Sequence, residues 1–167
     1  EGFGFIPVTC FSQALTTFIG QNLGAKEYDR AKKGALFGTV CGIGIAEVIG
    51  IAVFFFSPYL IAAFGGDQRA IEYGIAEAHT IALFYCLLAF SHCMAAIQRG
   101  AGRSIVPMFV MMIVWCGVRV TYISIVIRII PVINVIYWAY PLTWFISSVI
   151  FLILFLKTDW IHGLEKQ

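Results

Sequence analysis

Charge is what this sequence has least of. Only 12% of its 167 residues are Asp, Glu, Lys or Arg, against 60% that are hydrophobic. A water-soluble domain carries about a quarter of its residues as charge, so water is excluded as the main solvent. The formal charge of +2 is too small for a nucleic-acid partner, and the basic residues do not line one soluble face. Catalytic equipment is also missing: there is no GxxxxGK phosphate loop, no metal-ligand cluster, and no nucleophile with a His and an acid placed to activate it. An enzyme is therefore not expected, with no cofactor and no metal. The RGAGR stretch at 99–103 has no strand before it and reads as a turn. Cys10, Cys41, Cys86, Cys93 and Cys116 contain no CxxC pair and lie in apolar stretches, which predicts small packing residues. The chain opens at Glu1 with neither an initiator Met nor a signal peptide, which points to a fragment.

What the sequence does have is long apolar runs. A bilayer core about 30 Å thick needs roughly 20 apolar helical residues to cross it. Five stretches qualify: residues 2–23, 36–56, 75–97, 106–127 and 135–156. The expected fold is an all-α, polytopic transmembrane helix bundle of about five spans, a single transmembrane domain over 1–167 with no room for a soluble one. Lys26, Arg30, Lys32 and Lys33 follow the first stretch, Arg99 and Arg103 the third, and Lys157 and Lys166 the fifth, while the other two connections hold only Arg69 and Arg128. Cationic loops stay cytoplasmic, so the alternation puts the N-terminus outside and the C-terminus inside.

The first stretch carries a polar run, Ser12, Gln13, Thr16 and Thr17, and ends where Gly24 can supply a C-terminal cap. The second has small residues at every fourth position, Gly34, Gly38, Gly42, Ala46 and Gly50, a ridge that lets helix backbones approach closely in lipid. Residues 57–74, with Pro58 and the Gly65-Gly66 pair, read as the outer connection. Pro107 falls in the first turn of the fourth helix, where a missing N–H costs little. Pro141 should bend the fifth, with Tyr137, Trp138 and Tyr140 as interface anchors. The tail from Asp159 is expected along the inner surface.

Four ionisable residues are candidate cation-coupling groups or buried charges. Glu47 falls near the centre of the second helix, where a charge costs at least about 2.5–3.5 kcal/mol. It is either a carboxylate that binds a proton or Na+, or a neutral Glu hydrogen-bonded in a helix interface. Arg119 lies mid-way along the fourth helix and must find a carboxylate, carbonyls or an aromatic face. Trp115 and Tyr122 share its face, and a pairing with Glu47 is open. Its role is structural anchoring or a part in the pathway. His92 is a packing histidine or a proton relay. Glu77, with His79, is expected near the outer interface.

At FSQALTTFIGQNLGAKEYDRAKKG the sequence resembles the multidrug and toxic compound extrusion (MATE) transporters, and QRGAGRSIVP, WCGVRV and YPLTW keep the same register. Matching positions in the two cytoplasmic turns are Gln21, Asn22, Gly24, Ala25, Arg99, Gly100, Gly102 and Pro107, whose implied role is loop geometry and orientation. The resemblance implies two six-helix lobes, of which this chain looks like helices eight to twelve, most of the C-terminal lobe; the N-terminal lobe is then its missing partner. It implies a plasma-membrane antiporter for cationic or amphipathic organic compounds, with Na+ or H+ as coupling ion and the lipid bilayer as surroundings. Two alternatives stand beside it: a lipid-linked oligosaccharide flippase of the same superfamily, and a non-transporting membrane scaffold or channel subunit. Some family members carry an Asp in the apolar core of the third stretch; none stands there in this sequence.

Overall fold

The computed structural model describes residues 2–162; the expectations that fall on Glu1, Lys166 and the tail beyond His162 lie outside the described residues. Among those residues every regular element is helical. They run α1 (Gly2–Gly24), α2 (Tyr28–Ala63), α3 (Gln68–Ala82), α4 (Tyr85–Gly100), α5 (Ile105–Met111), a π-helical segment (Met112–Val118), α6 (Arg119–Ile129) and α7 (Asn134–Lys157). Three are long and apolar enough to cross a bilayer alone: α2, the unbroken rod Ile105–Ile129, and α7. α3 and α4 make a fourth span bent by 57°. α1, with 23 residues, reaches roughly 35 Å, the length for a fifth. The chain is a multi-pass membrane helix bundle.

The small-residue ridge of α2 accounts for much of the packing. Gly34 sits under the ring of Phe18, Gly38 against Leu15, and Gly42 against Cys93 and Phe11, so that an added Cβ at Gly38 or Gly42 would meet a neighbour at 2.7 Å. α2 therefore lies against both α1 and α4. Its outer face shows Leu36, Phe37, Val40, Val48 and Phe55 to the surroundings, a surface that would drive aggregation in water and that lipid solvates.

Two core clusters follow. One joins Leu15, Ile19 and Leu23 to Ala31, Met94, Ile97 and Phe151; the other joins Val8 and Ala46 to Ile81, Tyr85, Leu88 and Trp144. α4 contributes to both.

The structure departs from the sequence reading at several places. The basic cluster after α1 is not a loop: α2 already begins at Tyr28, so Arg30, Lys32 and Lys33 ride its first turns. The outer connection shrinks to residues 64–67, because α2 runs through Pro58 to Ala63. Proline leaves the carbonyl four residues back without its donor; here the Ser57 hydroxyl donates to that oxygen, Phe54 O, at 3.4 Å. The third span, read as continuous, is broken at Leu83 and Phe84. Finally, Tyr137 is buried and Tyr140 half-buried, both turned into the bundle, while Trp138 stays exposed as an interface anchor would.

The cap of α1 also differs from expectation. Gly24 is still helical, and the left-handed residue is Lys26, φ 59°. Glu27 N–H donates to Asn22 O at 2.8 Å and Lys26 N–H to Leu23 O at 3.0 Å, the paired bonds of a left-handed helix cap. The end of α4 repeats this turn: Gly102 has φ 80°, Arg103 N–H donates to Gln98 O, and Gly102 N–H donates to Arg99 O. The motif residues Gln21, Asn22, Gly24 and Ala25 thus correspond to Ile97, Gln98, Gly100 and Ala101. Pro107 is buried in the first turn of α5, as expected. Below this turn Arg103 donates to Asp159 O at 2.9 Å, and Trp160 stacks on Phe155 and is buried. At the start of the tail Trp160 is thus folded into the core, while Asp159 stays exposed.

Candidate functional site

Aromatic side chains from four of the spans converge on one half-open cavity. Tyr85 and Leu88 at the start of α4, Trp115 from the π-helical segment, Arg119 opening α6, and Tyr140 and Trp144 from α7 line about 320 Å³ together with Phe5 and Ile81. That volume is at the lower end of the range for small-molecule pockets.

The wall formed by α7 holds the cavity's cation in place. Arg119 donates to Thr143 Oγ1 at 2.7 Å, and Trp115 Nε1–H donates to Ser147 Oγ at 3.4 Å. These are two rungs of an antiparallel ladder, with steps of four residues on each side. The Thr143 hydroxyl donates back to α7, to Ala139 O at 2.9 Å and Tyr140 O at 3.0 Å, so its free lone pair is aimed at the guanidinium. The Arg119 carbon Cζ lies 4.3 Å from the Tyr140 ring centroid and 5.5 Å from that of Trp115. The sequence reading had named Trp115; the second ring comes from Tyr140 and not from Tyr122.

A second concavity lies between α1 and α4. Thr9, Ser12, Gln13, Thr16 and Thr17 of α1, with His92 and Arg99 of α4, line a polar groove of about 500 Å³. The hydroxyls of Thr9, Ser12, Thr16 and Thr17 all donate to carbonyls of α1 itself, at 2.8–3.2 Å. Their donor capacity is spent on the helix, so what they offer the groove is oxygen lone pairs.

His92 is the partition between the two. Its ring meets Phe5 edge-on at 5.3 Å and Trp115 at 5.5 Å, both of which line the aromatic cavity, while the residue itself lines the groove. It is 8% exposed, and among the described residues its Nε2 has no hydrogen-bond partner. A buried polar atom without a partner is costly in a packed interior. Of the two sequence readings for His92, the hydrogen-bonded packing residue lacks its bond.

Glu47 is engaged elsewhere. Its Oε1 accepts the backbone N–H of Cys86 at 3.1 Å, in the first turn of α4. Glu47 and Arg119 hold separate partners, Cys86 and Thr143, so the open question of their pairing is answered by two sites and not one. A helix N-terminus favours a negative charge by about 0.3–1 kcal/mol. That is less than the cost of about 2.5–3.5 kcal/mol for a charge at the bilayer centre. The bond to Cys86 asks only for an acceptor oxygen. Glu77 is half-buried on α3, and His79 stacks on Phe54 at 4.3 Å.

Of the turn residues, Gly100 has a steric reason. A Cβ there would stand 2.7 Å from Thr16 O and 2.8 Å from Ile19 Cβ, so it sets how closely α4 crosses α1. Sequence reasoning missed Thr143, Ser147 and the break in the third span. A polar residue every fourth position in an apolar helix is the signal that finds the first two.

A multi-pass helix bundle that carries an aromatic cavity and, along α1 and α4, an open polar groove is the class of membrane protein this fold defines. The MatE profile matches residues 1–123, and the chain belongs to that family, the multidrug and toxic compound extrusion transporters. Over 116 residues it is 28% identical to the "Probable multidrug resistance protein NorM" of Thermotoga maritima, covering 69% of this chain and 25% of that protein. The shared region is thus a quarter of that relative's length.

Proposed function

We propose that this chain is part of a plasma-membrane antiporter, most of its C-terminal lobe, that exports cationic or amphipathic organic compounds in exchange for Na+ or H+. Its N-terminus lies outside and its C-terminus in the cytoplasm. Its partners are the N-terminal lobe, the lipid bilayer and the exported molecule. It works as a transporter and not as an enzyme.

The observation that carries the reading is the position of His92 between an aromatic cavity and a polar groove, in a chain of this family. Aromatic walls hold planar organic bodies, and the groove supplies oxygen acceptors for a polar end. A proton taken up on His92 adds a positive charge next to Trp115 and on the same groove as Arg99. That charge opposes a cationic substrate beside it, so proton uptake and substrate release are linked. Alternating access then comes from this lobe rocking against its partner around the cavity and groove.

The test is ethidium efflux from cells making the complete protein, with proton and Na+ gradients imposed separately. Efflux driven by one of them supports export, and the driving gradient identifies the ion. Efflux no faster than in cells without the protein overturns the reading.

A further inference from the structure

The break in the third span has no cause in its own sequence. ALFY at 82–85 contains neither proline nor glycine, and sharp bends otherwise arise where a side chain enters the hydrogen-bond ladder. In an unbroken helix Cys86 N–H would donate to the Ala82 carbonyl, four residues back. Here it donates to Glu47 Oε1 of α2 at 3.1 Å.

The displaced carbonyl is accommodated one turn further along α2. A Cβ on Gly50 would come within 2.6 Å of Ala82 O and 3.4 Å of Tyr85 Cδ2. Only a residue without a side chain lets this oxygen sit there. From the opposite side, the Ser148 hydroxyl of α7 donates to Leu87 O at 3.1 Å. Both ends of the interrupted bond are thus met from α2, the amide by Glu47 and the carbonyl by the space at Gly50.

We propose that Glu47 and Gly50 are positioning residues that hold the third span broken, Glu47 acting as a hydrogen-bond acceptor whose charge is dispensable, so that Tyr85 and Leu88 face the cavity. α4 starts at the break, and its first turns carry both cavity residues. Restoring the 86-to-82 bond would straighten the span and carry them away from Trp144 and Arg119. The account depends on the export reading only for its transport arm.

The experiment uses the complete protein in lipid nanodiscs and measures backbone hydrogen exchange over residues 83–88, which reports opening of these amides, beside ethidium efflux. Glu47→Gln keeps an acceptor of the same shape and is expected to exchange and transport within about twofold of the native protein. Glu47→Leu and Gly50→Ala are expected to change exchange at this segment by at least about tenfold and to lose efflux together. Glu47→Gln exchanging like Glu47→Leu overturns the proposal, as does native exchange in both Glu47→Leu and Gly50→Ala. Glu47→Gln with native exchange but no efflux also overturns it, because the carboxylate then couples the ion. If the native protein itself does not move ethidium, the export reading fails and the exchange measurements still decide this one.

Discussion

Lys26 and Gly102 hold the same place in two copies of one turn. Each is the left-handed residue, φ 59° and φ 80°, that closes a helix at the same face of the bundle, after a Gly-Ala step at 24–25 and 100–101. Glycine takes this conformation freely, whereas a residue with a Cβ is strained by roughly 1 kcal/mol.

The two turns therefore respond in opposite directions. Lys26→Gly is expected to raise stability and Gly102→Ala to lower it, each by about 1 kcal/mol. Thermal midpoints in detergent, with chemical denaturation as a check, read both. Shifts of the same sign would contradict the shared geometry.

The glycines two places earlier separate for a different reason. Nothing lies within 4 Å of a Cβ built on Gly24, while one on Gly100 meets the backbone of α1 at 2.7 Å. Gly24→Ala is expected to be neutral or to stabilise by up to about 1 kcal/mol, as Ala does in helices. Gly100→Ala is expected to cost about 1–3 kcal/mol through forced separation of α1 and α4. Yield of monodisperse protein and its melting point distinguish the pair.

How legible this was in the sequence follows from where each signal resides. The apolar runs and the ridge Gly34, Gly38, Gly42, Ala46, Gly50 are local patterns with a helical period, and the helices and the burial of that ridge followed from them. Cap position was misread at Gly24 because the preference for glycine at a left-handed residue is statistical, and Lys26 pays the strain instead. The break at Leu83 and Phe84 was invisible because its cause lies on α2, about 40 residues away in the chain. Glu47 stood out for its charge, yet its charge said nothing of the amide it meets. Arg119 and its Trp115 neighbour were readable from helical spacing, whereas Tyr140 and Thr143 needed the packing of α7.

The Arg119–Thr143 bond is expected to be worth about 1.5–3 kcal/mol, the range for a hydrogen bond to a charged group. A double-mutant cycle with Arg119→Met and Thr143→Val reads it as a coupling in stability. Arg119→Lys is not conservative here, because the planar guanidinium stacks on Tyr140 and Trp115 as an ammonium does not. Additive effects of the two substitutions would show that the bond contributes nothing.

The central claim is ion-driven export through a cavity and groove divided by His92. The most direct measurement is ethidium efflux from proteoliposomes holding the complete protein, native or His92→Gln, under an imposed proton gradient and then an imposed Na+ gradient. The account predicts proton-driven efflux by the native protein that falls to the level of empty vesicles in His92→Gln at equal incorporation. No efflux by the native protein under either gradient would contradict the export claim, and undiminished proton-driven efflux in His92→Gln would contradict the part assigned to His92.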